Sequence, residues 1–467
     1  MTIRTVGPNS DFATIALAMG AAGPGDTIRL EAGYSHETAT IAFSGMTIFG
    51  GSASHRIVLN LAIGIATVTL TGTANFVLHD ASDGNGIVGN AGNNLIIVSG
   101  GVDAVDGGLG VDQLFVDYRH ATGAVTGDST SNFTEAGGGG RTVTITDGTI
   151  ENFTILTGSG ADTITTGAGN DVIKTGQGAS TVSAGQGYNL IVGGADSDTI
   201  TGLDGGNTVY AGNGTNTVTT GGGSDLVFTG TGADTIVTGR GADIIHLLGG
   251  ADGVYAGAGS DRLIIDYSAM TTNVSGGITG GNLLAGYVGH IADLAGSLVD
   301  FQRVEAFSIT TGSGNDALRT GNGADLLRGG DGNDLLNAGG GKDTLFGGAG
   351  QDVLRGGQGD DVETGGAGAD TFVFATIMEA STALGHDVIR DFQVGIDRID
   401  LAGLDANWNG AGNQAFHFIG SAAFSSVAGE LRYAGGLISG DNNGDGHADF
   451  TIEVGSLLGL TLHDFVL

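Results

Sequence analysis

An aspartate recurs at every ninth residue through much of this chain, each one behind a run of glycines and just ahead of an apolar residue. The strings TGSGADTIT (157–165), TGAGNDVIK (166–174), TGTGADTIV (229–237) and AGAGSDRLI (256–264) show the unit: small or Gly, Gly, x, Gly, x, Asp, x, apolar, x. It runs twelve times in register over 157–264 and seven times over 311–373. A carboxylate beside the carbonyls of a tight turn is a hard oxygen donor set. It suits Ca²⁺, which takes six to eight oxygens at about 2.3–2.6 Å. The aspartates so placed are Asp162, Asp171, Asp198, Asp225, Asp234, Asp243, Asp252 and Asp261 in the longer block. The shorter block supplies Asp316, Asp325, Asp334, Asp343, Asp352, Asp361 and Asp370.

Positioning these acids needs a turn and a strand in each nonad. The Gly-rich first six positions predict a tight turn with backbone at positive φ, where a Cβ would clash. The last three predict a short strand whose position eight (Ile164, Ile173, Leu336, Leu345) faces a core. A flexible Gly/Asp linker would have no reason to keep an apolar residue in phase over nineteen copies. These repeats resemble the RTX, haemolysin-type calcium-binding nonapeptide family. The resemblance implies a right-handed parallel β-roll or β-helix solenoid, all-β, in which two nonads make one coil. It further implies that calcium lies between the aspartates of repeats n and n+2. Applied here, it pairs Asp225/Asp243/Asp261 and Asp234/Asp252, then Asp316/Asp334/Asp352/Asp370 and Asp325/Asp343/Asp361. Position six instead reads Ser180, Asn189, Asn207 and Asn216 inside the longer block. A calcium-poor waist with asparagine ladders is therefore expected near 175–219.

Fifty acidic against sixteen basic residues leave a net charge of −34, and cysteine is absent. Such a surface excludes nucleic acid and anionic membrane as partners and makes divalent cations its natural counterions. Without metal the chain repels itself and is expected to be largely disordered, so that metal affinity becomes folding free energy. Extracellular calcium modules bind at about 10⁻⁴–10⁻³ M, which suits folding outside the cell. The first residues, MTIRTVGPNSDF, lack a charged segment followed by an apolar one, and the longest apolar stretch, 57–70, is too short to span a bilayer.

Seven segments are expected. Residues 1–79 form an N-terminal cap and first coils; the run FATIALAMGAAGPGDTIRL resembles the opening of pectate-lyase-type β-helices, with a short helix over Phe12 to Ala22 and the first rung at Gly-Asp-Thr-Ile. Residues 80–115 are nonads with Asn85, Asn94, Asp103 and Asp112 at position six, and so poor in calcium. Insertions at 116–156 and 265–310 flank the block 157–264 and share LFVDY/LIIDY and ENFTILTGSG/EAFSITTGSG; they are expected to form two similar arms. The block 311–373 follows. Residues 374–467 resemble the C-terminal segment of serralysin-type secreted proteins, which implies a β-rich cap carrying an uncleaved type I export signal ending in Asp464-Phe465-Val466-Leu467. Within it, Asp441, Asn443, Asp445 and Asp449 have the spacing of an oxygen-rich calcium loop or a structural turn.

Catalytic constellations are sparse. His36-Glu37 has Thr40 where a zinc-protease motif needs histidine, and no G-x-S-x-G elbow occurs. A β-helix lyase or epimerase would have to recruit Arg56, Arg119, Arg141 or Tyr118, and Trp408 is read as core or cap before sugar platform. His79, His120 and His246 read as strand or turn residues. On the waist, the strand pairs Leu190/Val192, Thr208/Tyr210 and Leu226/Phe228, with Ile244, predict an outward apolar stripe. The opposite sheet presents threonines. The expectation is a secreted, calcium-folded structural protein that self-assembles or adheres at the cell surface as a homo-oligomer or polymer, as in an S-layer, filament or biofilm matrix. A polysaccharide-modifying enzyme and a monomeric adhesin or effector are the alternatives, with a surface or matrix polysaccharide as their partner.

Overall fold

The computed structural model describes every residue except 35–36, 52–55, 82, 138–139, 147, 294–297, 381–385 and 456–458. Its regular structure is nearly all β, and the one α-helix among the described residues is Ile15–Gly20. The chain divides into two units, Met1–Thr229 and Gly230–Leu467.

In the first unit successive strands alternate between two parallel sheets. One sheet carries Thr163–Thr165, Thr181–Ser183, Thr199–Thr201 and Thr217–Thr219, paired in register eighteen residues apart. The other carries Asn152–Leu156, Val172–Lys174, Leu190–Gly194, Thr208–Gly212 and Leu226–Thr229. Two nonads thus complete one coil, as a parallel β-roll requires. Position eight fills the space between the sheets: Ile164, Ile173, Ile191, Ile200 and Val209 are wholly buried. The glycines obey the turn. Gly176 sits at φ +77°, and a Cβ there would lie 2.2 Å from the Gly158 carbonyl oxygen of the coil before.

The first rung differs from expectation. Strand Ile3–Val6 precedes the helix and pairs in parallel with Thr27–Leu30, so a rung already exists before Gly-Asp-Thr-Ile. The helix covers the core with Ile15, Ala18 and Met19. Thr14 caps it by accepting the Leu17 N–H, and Glu37 accepts the Ile15 and Ala16 N–H groups at 2.8 and 3.0 Å. Glu37 is therefore engaged as a helix anchor, while His36 lies outside the described residues.

Among the described residues neither insertion projects as the expected arm. In the first unit Val102–Asp106 pairs in parallel with Thr142–Ile145, which runs antiparallel to Asn132–Glu135, which runs antiparallel to Val125–Asp128. Val125–Asp128 then pairs in parallel with Thr163–Thr165. A three-stranded meander has been laid into the plane of the sheet. The second unit repeats it with Leu298–Val304, Gly286–Asp293 and Val274–Asn282 between Ala251–Tyr255 and Ala317–Arg319. An in-plane meander leaves no unpaired strand edges, whereas a projecting arm would expose them. The shared LFVDY/LIIDY strings supply equivalent buried tyrosines, Tyr118 and Tyr267.

The remainder of the second unit stacks Leu335–Gly341, Val353–Gly359, Thr371–Val373 and Arg398–Asp400 on one sheet. Leu326–Asp331, Thr344–Gly350, Val362–Gly368 and Asp387–Ile389 form the other. Here pairing continues from the strands into the turns, so that Gly339 opposes Gly357 and Gly341 opposes Gly359. The second sheet ends in an antiparallel segment, Glu430–Ala434, Leu437–Asp441 and Phe450–Glu453.

Candidate metal centres

The aspartate at position six of each nonad turns inward and stacks on its counterpart one coil away. Its Oδ1 accepts the backbone N–H of the preceding counterpart. In the second unit Asp316 donates to Asp334 at 2.8 Å, Asp334 to Asp352 at 2.8 Å, and Asp352 to Asp370 at 3.0 Å. On the other edge Asp325 donates to Asp343 at 2.8 Å and Asp343 to Asp361 at 2.9 Å. Asp234 to Asp252 and Asp243 to Asp261 follow the same rule. The expected n, n+2 pairs within this unit are thus brought together.

The other oxygen is left over. Oδ2 of Asp252, Asp261, Asp316, Asp325, Asp334, Asp343, Asp352, Asp361 and Asp370 is buried with no hydrogen-bond partner. A buried carboxylate oxygen without a donor is costly, and repetition multiplies the cost. The glycines leave room beside it. A Cβ on Gly347 would lie 2.4 Å from Asp352 Oδ2 and 2.6 Å from the Gly365 carbonyl oxygen; on Gly329 it would meet Asp334 Oδ2 at 2.1 Å and the Gly347 carbonyl at 2.7 Å. Carboxylate and carbonyl oxygens therefore face one small space from opposite coils, which is the chemistry of a Ca²⁺ shell. Burial pushes Asp334 up to about 7 and Asp343 up to about 8, and the facing aspartates add repulsion. Among the described residues no three acid or histidine side chains gather tightly enough to hold an ion alone, so turn carbonyls have to supply the rest of any shell.

The first unit is graded. Asp171 takes the Phe153 N–H at 2.8 Å on Oδ1 and keeps a bare Oδ2. Asp162 takes the Val125 N–H at 2.7 Å, and its Oδ2 accepts the Thr157 hydroxyl. Asp198 spends both oxygens on the Ser180 and Gly194 N–H groups, at 2.8 and 3.0 Å. The expected amide ladder is present: the Asp171 N–H reaches Asn189 Oδ1, Asn189 Nδ2 reaches Asn207 Oδ1 at 3.0 Å, and the Asp198 N–H reaches Asn216 Oδ1 at 2.9 Å. The Asn207 N–H goes to Asp225 Oδ1 at 2.7 Å. An amide brings its own donor, so a row of asparagines satisfies itself where a row of carboxylates does not.

Four ladder acids, Glu151, Glu305, Asp387 and Asp397, escaped the nonad reading, and Asp112, read as part of a calcium-poor segment, joins them. Asp112 has a buried, unpartnered Oδ2, burial pushes it up to about 7, and its N–H donates to Glu151 Oε2 at 2.6 Å. Glu305 does the same for the Asp261 N–H at 2.8 Å. Each glutamate opens one of the matching strings ENFTILTGSG and EAFSITTGSG, which was the available signal. Asp387 and Asp397 accept the Asp361 and Asp370 N–H groups at 2.9 and 3.0 Å, continuing both edges past the last nonad. Their strings DVI and DRI keep the Asp-x-apolar end of the repeat after its glycines are gone.

The loop 441–449 is self-satisfied. Asp441 accepts the Gly444 and Gly446 N–H groups, Asn443 accepts that of Asp445, Asp445 that of His447, and Asp449 that of Asn442. Three of the residues weighed for catalysis are also engaged, and the fourth, Arg56, is exposed. Tyr118 is buried beneath the Arg141 guanidinium, 5.2 Å from the ring centre; Arg141 pairs with Glu135, and Arg119 with Asp117. Trp408 is 48% exposed, so it is not a core residue. His79 and His246 lie in strands and His120 in a turn. On the outward face of the first unit, Tyr210 and Phe228 stack at 4.8 Å with rings 3° from parallel.

A model of the RTX calcium-binding nonapeptide repeat (four copies) matches residues 82–114, 156–191, 192–227, 228–263, 310–345 and 338–372. No curated protein matches the chain. The repeat is typical of secreted proteins, and no described helix is long and apolar enough to cross a membrane. The matched segments contain the stacked aspartates and omit most of both meanders, so sequence model and geometry single out the same turns. This chain carries RTX calcium-binding nonapeptide repeats, folded as a parallel β-roll that binds Ca²⁺ at multiple sites.

Proposed function

We propose that the protein is exported by a type I route, folds on extracellular calcium, and acts as a structural component that self-assembles at the cell surface. The observation that carries this reading is the row of buried Oδ2 oxygens without donors, densest from Asp316 to Asp370. Calcium there is stoichiometric scaffolding: it neutralises facing carboxylates whose repulsion opens the coils. The pairs Asp316/Asp334/Asp352/Asp370 and Asp325/Asp343/Asp361 are its main seats, with Asp252 and Asp261 beside them. Asp162 and Asp198, whose oxygens are already engaged, are weak seats, and the loop 441–449 serves as a structural turn. Assembly is supported by the outward aromatic pair Tyr210–Phe228 and by Tyr188, which is 72% exposed.

Size-exclusion chromatography and electron microscopy in millimolar calcium and in chelator test the reading. Ordered multimers with calcium, and an expanded, strand-poor chain without it, are expected. A calcium-folded monomer would instead favour an adhesin, for which the exposed threonine columns of Thr163, Thr181, Thr199 and Thr217 are the available face. Asp334→Ala combined with Asp343→Ala should lower the number of bound ions, whereas Asn207→Ala should leave it unchanged.

A further inference from the structure

Position eight of the nonad is apolar and buried throughout both blocks, with one exception. In the repeat 356–364 it is Glu363, which is 1% exposed. Its neighbours one coil away, Leu345 and Ile389, keep the rule. A carboxylate in the middle of an apolar row is expelled or protonated unless something compensates it.

The surroundings of Glu363 are themselves acidic. Its Oε1 accepts the Gly356 N–H at 2.7 Å, and its Oε2 is buried with no partner. Gly356 also borders Asp361: a Cβ on it would lie 2.5 Å from Asp361 Oδ2, another buried oxygen without a donor. One glycine therefore touches both carboxylates. Asp361 donates its N–H to Asp387 Oδ1 at 2.9 Å, and Asp387 Oδ2 is the third unpartnered oxygen. Asp387 is 1% exposed and opens the strand that follows the last nonad on this edge. The cations nearby do not reach this group. Arg355 pairs with Glu379, whose other oxygen takes the Ala375 N–H.

We propose that Glu363, Asp361 and Asp387 form a calcium site of a second kind, in which a glutamate from the core joins the ladder pair of the turn. Each acid gives one oxygen to a backbone N–H, an interaction that favours the anion, and keeps one oxygen for the metal. As they stand the three are not gathered round a single point. Holding one ion would require the three to close about Gly356, where the absence of a side chain leaves no Cβ against Asp361 Oδ2. Three carboxylates against the usual two make this seat more strongly charged than its neighbours, and charge count raises calcium affinity. Because Asp387 comes from beyond the repeats, the site ties the segment after residue 386 to the last nonad turn on this edge. The inference rests on the reading that the turns take calcium.

Equilibrium dialysis of the full chain against radioactive calcium tests it, with Glu363→Leu, Glu363→Gln and Asp387→Asn beside the parent protein. Circular dichroism in calcium shows which variants fold. The expected result is one bound ion fewer in Glu363→Leu and Asp387→Asn, lost from the tight end of the isotherm, with the remaining ladder ions retained. Glu363→Gln should keep the ion at weaker affinity. If every folded variant binds the parent number of ions with the parent isotherm, Glu363 is a neutral core carboxyl and the second site is refuted while the ladder reading stands. If the parent binds no calcium, both fail together.

Discussion

At the scale of single residues, position one of the nonad tunes what position six does. Where it is glycine, as at 329, 347, 356 and 365, its missing side chain leaves open the space between a carboxylate oxygen and, at 329 and 347, a carbonyl of the next coil. At Thr157 the hydroxyl enters that space, lying against Asp162 Oδ2 and, at 2.9 Å, the Thr175 carbonyl, whereas Thr311 gives its proton to the Gly329 carbonyl and leaves Asp316 Oδ2 bare. A hydroxyl is a neutral donor and satisfies one oxygen without cancelling its charge. Gly347→Ala should therefore act as a plug, since its Cβ falls 2.4 Å from Asp352 Oδ2. The expected outcome is one fewer calcium ion by titration calorimetry, with the calcium-loaded fold retained. An unchanged ion count would remove the Asp352 turn from the set of seats.

Among the elements, the helix Ile15–Gly20 and the two meanders solve different problems. A parallel coil stack has open ends, and apolar core must not meet water there. Six residues of helix suffice because Thr14 and Glu37 satisfy the N–H groups that such a short helix leaves bare. Thr14→Ala should lower the stability of the calcium-loaded protein by about 1 kcal/mol, read as a shift in urea midpoint. A shift in calcium stoichiometry instead would mean that the cap and the turns are coupled. The meanders interrupt the nonad rhythm without interrupting the ladder, because Glu151 and Glu305 reach where the turn aspartate would have been. Glutamate is one methylene longer than aspartate, which suits the departure from nonad spacing there.

For the whole molecule, a net charge of −34 and a buried row of carboxylates make protons and calcium competitors. The folded state raises its buried acids, Asp334 to about 7, Asp343 to about 8 and Asp387 to about 9, chiefly through burial. An unfolded aspartate titrates near about 3.9. Between those values the metal-free folded form binds more protons than the unfolded form, so its stability falls as pH rises from about 4 towards 8. In chelator, β structure measured by circular dichroism should be greatest near pH 4 and diminish towards neutrality. With calcium the dependence reverses, since the metal needs the deprotonated acids, and the calcium midpoint should rise as pH falls. A metal-free β signal independent of pH would contradict the buried ladder.

The nonad by itself determined the local conformation and the burial of position eight, and the resemblance it carries implied the eighteen-residue pairing. Its information is short-range: glycine permits the turn, aspartate closes it, and an apolar residue every ninth place can only face inward. Even the amide ladder at Asn189 and Asn207 was legible, because asparagine differs from aspartate by carrying a donor. Tertiary structure decided what depends on neighbours distant in the chain. The insertions lie flat because their hairpins complete a sheet whose edges are 40 or so residues away, pairing Val102 with Thr142 and Ser275 with Ala317. Glu151, Glu305, Asp387 and Asp397 joined the ladder through contacts that no fixed period announces. Glu363 stands in phase with the core residues, yet only the packed turn shows its free oxygen beside those of Asp361 and Asp387, since charge in an apolar row acquires meaning from what surrounds it.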